Sequence, residues 1–354
     1  MMTTRKTSGA LAAALCCLGA GGATQAAEQP IQIKAVVLSM FEVGQDQGDN
    51  PGEFQFWRER AGLNQCMPLA QGFHDVCLNP ETGVLATVTG MGTARAAASV
   101  MALGMDPRFD LSKAYWLVAG IAGINPHKGS IGSAAWANYV VDGDLAHEID
   151  AREIPKDWKT GYTPFFRATP YAQPRSDSIG EVYKLNGRLV DWAYNLTKDV
   201  PLVENQDLAA FRQQFKGFPQ AVLPAKVMKG DNLASSTFWH GARLNDWAGD
   251  WVKYWTDGKG QFVTSAMEDS GTLQSLSFLS KAAKVDLDRV LVLRTASNYT
   301  MQPPGMSAAQ SMAHDQAGFV GMRPSLEAAY RVGSTVINAL TGNWELYSQT
   351  LPGH

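Results

Sequence analysis

Residues 261–276 read QFVTSAMEDSGTLQSL. A β-type run over 261–264 leads into two adjacent acids, Glu268 and Asp269, and then into an apolar series at helical spacing, Leu273, Leu276 and Leu279. A strand that turns into a helix within a few residues is the building unit of an α/β fold. Ligands in such folds bind beyond the carboxyl ends of strands. The double carboxylate therefore stands where binding or chemistry is expected.

Working outward, the same alternation recurs. Strands are expected over 31–40, 84–90, 114–120 and 221–231, with a long, bent one within 130–144 and a last one over 290–294. Helices are expected over 53–61, 93–104, 181–196, 208–215, 243–255 and 324–340. Residues 145–180 are rich in Pro, Arg and aromatics without a period and read as an extended excursion. Strands separated by helical crossovers predict a three-layer αβα sandwich around a central mixed sheet. A single domain is expected over 28–354, with the excursion and some helices at about 145–220.

The chain has 354 residues, 45% of them hydrophobic, and a formal net charge of -3. That balance offers no electrostatic footprint for nucleic acid or anionic lipid. After residue 30 no segment is apolar for the length a bilayer requires. The first 27 residues differ: Arg5 and Lys6 precede an apolar run over 11–18, and small residues near Ala26 offer a cleavage point. This predicts a secretory signal and a protein that is soluble after cleavage, with a bacterial periplasm as the destination. No small residue precedes Cys16 or Cys17 as a lipid anchor requires, so none is expected.

Export leaves Cys66 and Cys77. In an oxidising compartment they are expected to form a disulfide; the alternative, a pair of free thiols, stays open. Neither supplies a catalytic cysteine. The six histidines are scattered without ligand spacing, so no metal is expected. G-x-S-x-G and Walker motifs are lacking, and GMGTAR at Gly90 misses the third glycine of a dinucleotide fingerprint. No cofactor is expected.

Four stretches at strand ends stand out: TGMGTARAAAS, VAGIAGINPHKGSIGSAAWA, SAMEDSG and VLRTASNY. In them Gly90, Gly92, Gly120 and Gly123 sit where backbone amides could approach a ligand closely. With GDNPGEFQFW, WANYVVDGDLAHEIDARE and STFWHG, these stretches resemble the purine nucleoside permease family over about residues 31–352. That family in turn resembles the nucleoside phosphorylase and nucleoside hydrolase fold.

The resemblance implies a purine nucleoside ligand: inosine, guanosine or adenosine. Met267 would pack on the ribose and Glu268 would accept its 2′- and 3′-hydroxyls; otherwise Glu268 is an acid favoured by a helix N-terminus. Asp269 departs from the small residue usual there, and is expected to support the turn or neutralise a cation. Asn298 stands where many relatives carry an acid that protonates N7; an amide can donate a hydrogen bond but delivers no proton. Arg294 would orient a water or anion near C1′, or else form a structural salt bridge. Phe238 and Trp239 match the aromatic that stacks on the base, with a core role as the alternative. Gly90, Gly120 and Ile121 complete the expected binding set. Ile121 replaces a phosphate-holding hydroxyl, so phosphate would need Arg95 or Arg294. Glu42 is the first candidate to orient an attacking water and Glu53 the second.

Three functions follow from these residues: cleavage at C1′ by water or phosphate, non-catalytic delivery of intact nucleoside to a membrane transporter, or an exported scaffold whose pocket has decayed.

Overall fold

The computed structural model describes residues 29–173, 178–316 and 320–353. The expected secretory signal over 1–27 lies outside the described residues. Twelve strands form one mixed sheet. They are β1 (Ala35–Ser39), β2 (Gln65–Met67), β3 (Val76–Asn79), β4 (Val84–Val88), β5 (Tyr115–Ile124), β6 (Ala134–Trp136), β7 (Tyr139–Asp142), β8 (Val182–Lys184), β9 (Val227–Lys229), β10 (Asp231–Ala234), β11 (Phe262–Ala266) and β12 (Val290–Tyr299). The main path runs β8-β7-β10-β11-β5-β1-β4-β3-β2, with β12 pairing β5 and β6, and β6 also pairing β9.

Strand β5 is the hub. It pairs in parallel with β1 through residues 115–118 and with β12 from Trp116 to Ile124, and antiparallel with β11 at Gly123 and Ile124. Its run YWLVAGIAGI, buried throughout except at half-buried Ile121, suits a strand covered on both faces. Helices α2 (Thr93–Gly104) and α6 (Asp269–Lys281) pack together, while α8 (Met322–Gly342) lies along β5 and β12 with α1 (Gln55–Arg60) and α3 (Gly187–Thr197) against it. The result is a three-layer α/β sandwich. Gly271 explains how α6 approaches α2 so closely: a β-carbon there would lie 2.2 Å from the carbonyl oxygen of Thr93. Helix α4 (Gln206–Arg212) meets α7 (Ala308–Gln316) where the rings of Phe211 and His314 lie 6.3 Å apart, and α5 (Ala242–Trp255) covers the β7-β10-β11 side through Trp247, Trp251 and Trp255.

Several elements differ from expectation for local reasons. Helix 181–196 begins only at Gly187, where Asn186 caps it by accepting from the amides of Arg188 and Leu189. Before it, Val182–Lys184 pairs with β7 as an edge strand, in keeping with its β-favouring Val-Tyr. The 130–144 strand is two, because Asp231 Oδ1 accepts the amides of Asn138 and Tyr139 and breaks the ladder between them. The 221–231 strand breaks at Gly230, where a β-carbon would meet Val263 at 2.2 Å. Strands β5 and β12 both run further than expected, and β12 carries a bulge between Ala296 and Asn298. In the β2–β3 hairpin Cys66 faces Cys77 and the two are joined as a disulfide. No helix of the described residues is long and apolar enough to cross a membrane.

Candidate functional site

The carboxyl ends of β1, β5, β11 and β12 converge on a cavity of about 250 Å³, near the lower end of the ~300–1,000 Å³ usual for small-molecule sites. Its wall is mostly apolar: Met40, Phe41, Met91, Ile121, Met267 and Met322 among others, with Phe238 at the mouth, 46% exposed. Polar groups come from Glu53, Glu268, Ser265, Ser297 and Asn298. A larger open depression of about 1130 Å³ lies around Gln261, Phe262 and α5. Its acids, Asp246 and Asp250, are unburied residues of α5, so it gathers no buried charge.

The opening stretch builds one end of the cavity. Strand β11 ends at Ala266, Met267 turns inward, and Glu268 takes the N-cap position of α6 at φ -124°, ψ -20°. Its side chain makes no capping bond. Instead Oε1 accepts the Gly92 amide at 3.1 Å, and Oε2 accepts the Met267 amide at 3.2 Å and Arg294 Nη2 at 3.1 Å. Of about four acceptor positions on a carboxylate, three are used, which leaves one for a ligand hydroxyl. Asp269, fully buried, clasps Arg294 with Nε to Oδ1 at 3.1 Å and Nη2 to Oδ2 at 2.8 Å. Asn232 Nδ2 donates to the same Oδ2 at 2.9 Å.

Arg294 is 1% exposed and lies behind the cavity wall. Besides those bonds, its Nη1 donates to the Ile121 carbonyl at 3.1 Å and to Met40 Sδ at 3.5 Å. All five guanidinium N–H groups are therefore engaged within the protein. Burial works against its charge, but Asp269, Glu268 and Glu53 outweigh that and hold its pKa above the ordinary value. Of the two roles expected of Arg294, its contacts are those of the salt bridge: it is the buried counter-ion of the acids. Arg95 does not replace it, being exposed and placed over the Phe73 ring at 5.8 Å.

Glu53 is the second buried carboxylate on the cavity, 5% exposed. Oε2 accepts the Met40 amide and Oε1 the Ile121 amide, each at 2.6 Å. Burial, with the nearby Glu268 charge adding to it and Arg294 opposing, pushes its pKa from 4.5 up to about 8. Burial raises Glu268 as well, against the pull of Arg294. Glu42, the first sequence candidate for this position, is absent from the wall. Its carboxylate accepts the amides of Val43, Gly52, Phe54 and Gln55, tying the 43–52 loop to the start of α1. The loop folds back so that the Glu53 amide bonds the Phe41 carbonyl at 3.0 Å, which brings Glu53 to the place expected of Glu42.

The amino-acid sequence from residue 32 to 352 matches the family model described as purine nucleoside permease. A purine nucleoside permease of Candida albicans is 31% identical over 318 residues, 89% of this chain and 76% of its own length. The chain belongs to the purine nucleoside permease family. A probable member from Schizosaccharomyces pombe is 26% identical over 298 residues, 81% of this chain and 82% of that protein. Among solved structures, the Helicobacter pylori 5'-methylthioadenosine/S-adenosylhomocysteine nucleosidase superposes with TM-score 0.53 at 14% identity, over 88% of this chain and 100% of that one. The futalosine hydrolase of the same organism gives TM-score 0.51 at 13% identity, over 87% and 98%. At identities this low the structural likeness shows the fold alone.

The remaining residues marked in this permease-family sequence separate cleanly. Asn298 sits on the β12 bulge and lines the cavity. Its Oδ1 accepts Ser297 Oγ at 2.9 Å and its Nδ2 donates to the Tyr299 carbonyl at 3.1 Å, leaving one amide N–H for a ligand. Ile121 and Met267 line the wall. Gly120 lies behind it, and Gly90 packs beside Phe73 and Arg95; neither is on the lining. Phe238 and Trp239 part company: Trp239 packs 6.0 Å from Phe262 and 6.1 Å from Trp247, and reaches only a small side cleft of about 20 Å³. Sequence reasoning missed Phe41, Met91, Ser265, Ser297 and Met322. Period-2 alternation back from Met267 would have found Ser265. Among the described residues no group of three or more His, Cys, Asp and Glu side chains could hold a metal.

Proposed function

We propose that the cavity binds a purine nucleoside and that the protein cleaves its N-glycosidic bond with water as the acceptor. The observation that carries this reading is the pair of buried carboxylates, Glu53 and Glu268, on the wall of one otherwise apolar cavity. Glu268 offers its one remaining acceptor position to a ribose hydroxyl. Glu53 keeps two acceptor positions free and, with its pKa pushed up to about 8, is a stronger base than an ordinary carboxylate. It holds and deprotonates the water that attacks C1′. The carboxylates favour the positive charge that develops on the sugar as the bond to the base stretches. Asn298 donates its free amide N–H to an acceptor on the purine, and the departing base takes its proton from solvent. Water is favoured over phosphate because Arg294 has no donor left and Arg95 stands outside.

The test is chromatography of inosine, guanosine and adenosine incubated with the pure protein, with and without phosphate. Free base and ribose are expected at equal rates in both. Recovery of intact nucleoside after prolonged incubation would overturn the enzymatic reading.

A second reading is favoured by Asn298, which cannot protonate a leaving purine: the protein binds nucleoside and passes it intact to a membrane transporter. Stoichiometric binding without base release distinguishes it. In either reading we infer action outside the inner membrane, supported by the signal pattern of residues 1–27.

A further inference from the structure

We propose that Asp269, which touches neither the cavity nor a ligand within it, is the positioning residue that decides how much of the Arg294 charge reaches the two cavity carboxylates, Glu53 and Glu268. The inference rests on the nucleoside-site reading only for its consequence in turnover; its physical content concerns the protein alone.

Three carboxylates and one guanidinium share a nearly dry region: Glu53, Glu268, Asp269 and Arg294 are exposed by 5%, 4%, 0% and 1%. Asp269 takes Nε and one N–H of Nη2, the two-bond geometry that fixes the plane of a guanidinium. With the plane fixed, Nη1 can only face the Ile121 carbonyl and Met40 Sδ, and the second N–H of Nη2 faces Glu268. Asp269 is itself held from behind by Asn232, whose Oδ1 accepts Thr264 Oγ1 at 3.0 Å. The clasp thus has its own support in β10 and β11, separate from the cavity. The charges that face Glu53 are Arg294 from β12 and Glu268 from the head of α6. Strand β5 and the end of β1 present only the amides of Ile121 and Met40.

Removing the Asp269 charge leaves more of the Arg294 field for Glu53 and takes away a distant repulsion; both favour the ionised Glu53. The experiment follows the carboxylic-acid C=O infrared band that Glu53→Gln abolishes, titrated without nucleoside. In Asp269→Asn the midpoint of that band is expected to fall by about one pH unit. In Asp269→Glu, which keeps the charge, it should stay within ~0.5 unit of the parent. Asp269→Ser makes the same charge change with a shorter side chain and replaces the asparagine variant if that one does not fold. A midpoint that does not move in the neutral variants overturns the proposal. So does an equal fall in Asp269→Glu, which would make Asp269 a merely structural residue. The titration needs no substrate, so it succeeds or fails independently of base release. If the protein cleaves nucleoside, the pH–rate profile of Asp269→Asn shifts acidward with the band, while a packing defect alone would lower the rate at every pH.

Discussion

The space that a β-carbon on Gly120 would occupy is held by the guanidinium of Arg294, whose Nη1 lies 2.6 Å from that point. Met40 Sδ at 2.6 Å and Glu53 Oε1 at 2.8 Å close the same spot. Gly120→Ala would push a buried ion cluster apart, so we expect a loss of about 1–3 kcal/mol in urea unfolding. Nucleoside affinity should fall with it, because Glu53 cannot keep its place.

For Glu268, the acceptor count leaves room for one ligand hydroxyl. Glu268→Gln should weaken nucleoside binding by roughly 10–100-fold, the range for a hydrogen bond to a charged group. Calorimetry with inosine and 2′- and 3′-deoxyinosine closes the cycle. One deoxynucleoside should bind the parent poorly and the variant no worse than inosine does. Full additivity for both would remove Glu268 from the sugar.

Glu53 gives stability a definite dependence on pH. Its pKa is raised from 4.5 to about 8 in the folded protein, so between those values the native state binds a proton that the unfolded chain has lost. Its contribution to stability is full below about 4.5, declines as pH rises and is exhausted above about 8. Denaturation of Glu53→Gln across this window should lack that decline, leaving the variant more stable than the parent at pH 8 by on the order of a few kcal/mol. Base release by the parent should climb over the same interval as Glu53 becomes a base.

Glu42 and Glu53 should behave oppositely. Glu42→Ala leaves the amides of Phe54 and Gln55 without their acceptor and is expected to cost about 1–3 kcal/mol. At a temperature where the variant is folded, its nucleoside affinity should stay within about threefold of the parent, a change under 1 kcal/mol. A hundredfold loss of affinity would return Glu42 to the site.

Cys66 and Cys77 close a short loop with a separation of 11 residues. Replacing both by serine should lower stability by about 3 kcal/mol. The hairpin lies outside the cavity lining, so ligand affinity should survive.

Much of this architecture is legible in the amino-acid order because α/β periodicity is local. The strand-to-helix turn at Met267–Glu268–Asp269 and the glycine-marked ends of β5 follow from residues a few positions apart. What is not legible there is set by nonlocal contacts. Glu42 follows the first strand in sequence, but four amides of a doubling-back loop consume it and deliver Glu53 instead. The amino-acid order leaves both roles of Arg294 open because its partners are 173 and 25 residues away, at Ile121 and Asp269. Phe238 and Trp239 could not be told apart until α5 was in place, with Trp247 taking one ring into the core. The bulge that turns Asn298 toward the cavity is a mismatch between two strands, and one strand alone cannot display it.

Strand β5 satisfies the ladders of β1, β11 and β12 at once, and its residues Ile121, Ala122 and Gly123 form the cavity floor. Any swing of that floor would tear hydrogen bonds from β11 and β12 together. Entry and exit of a guest must then be governed from above, by the side chains of Met91 and Phe238, and amide exchange at 121–123 should be among the slowest in the molecule.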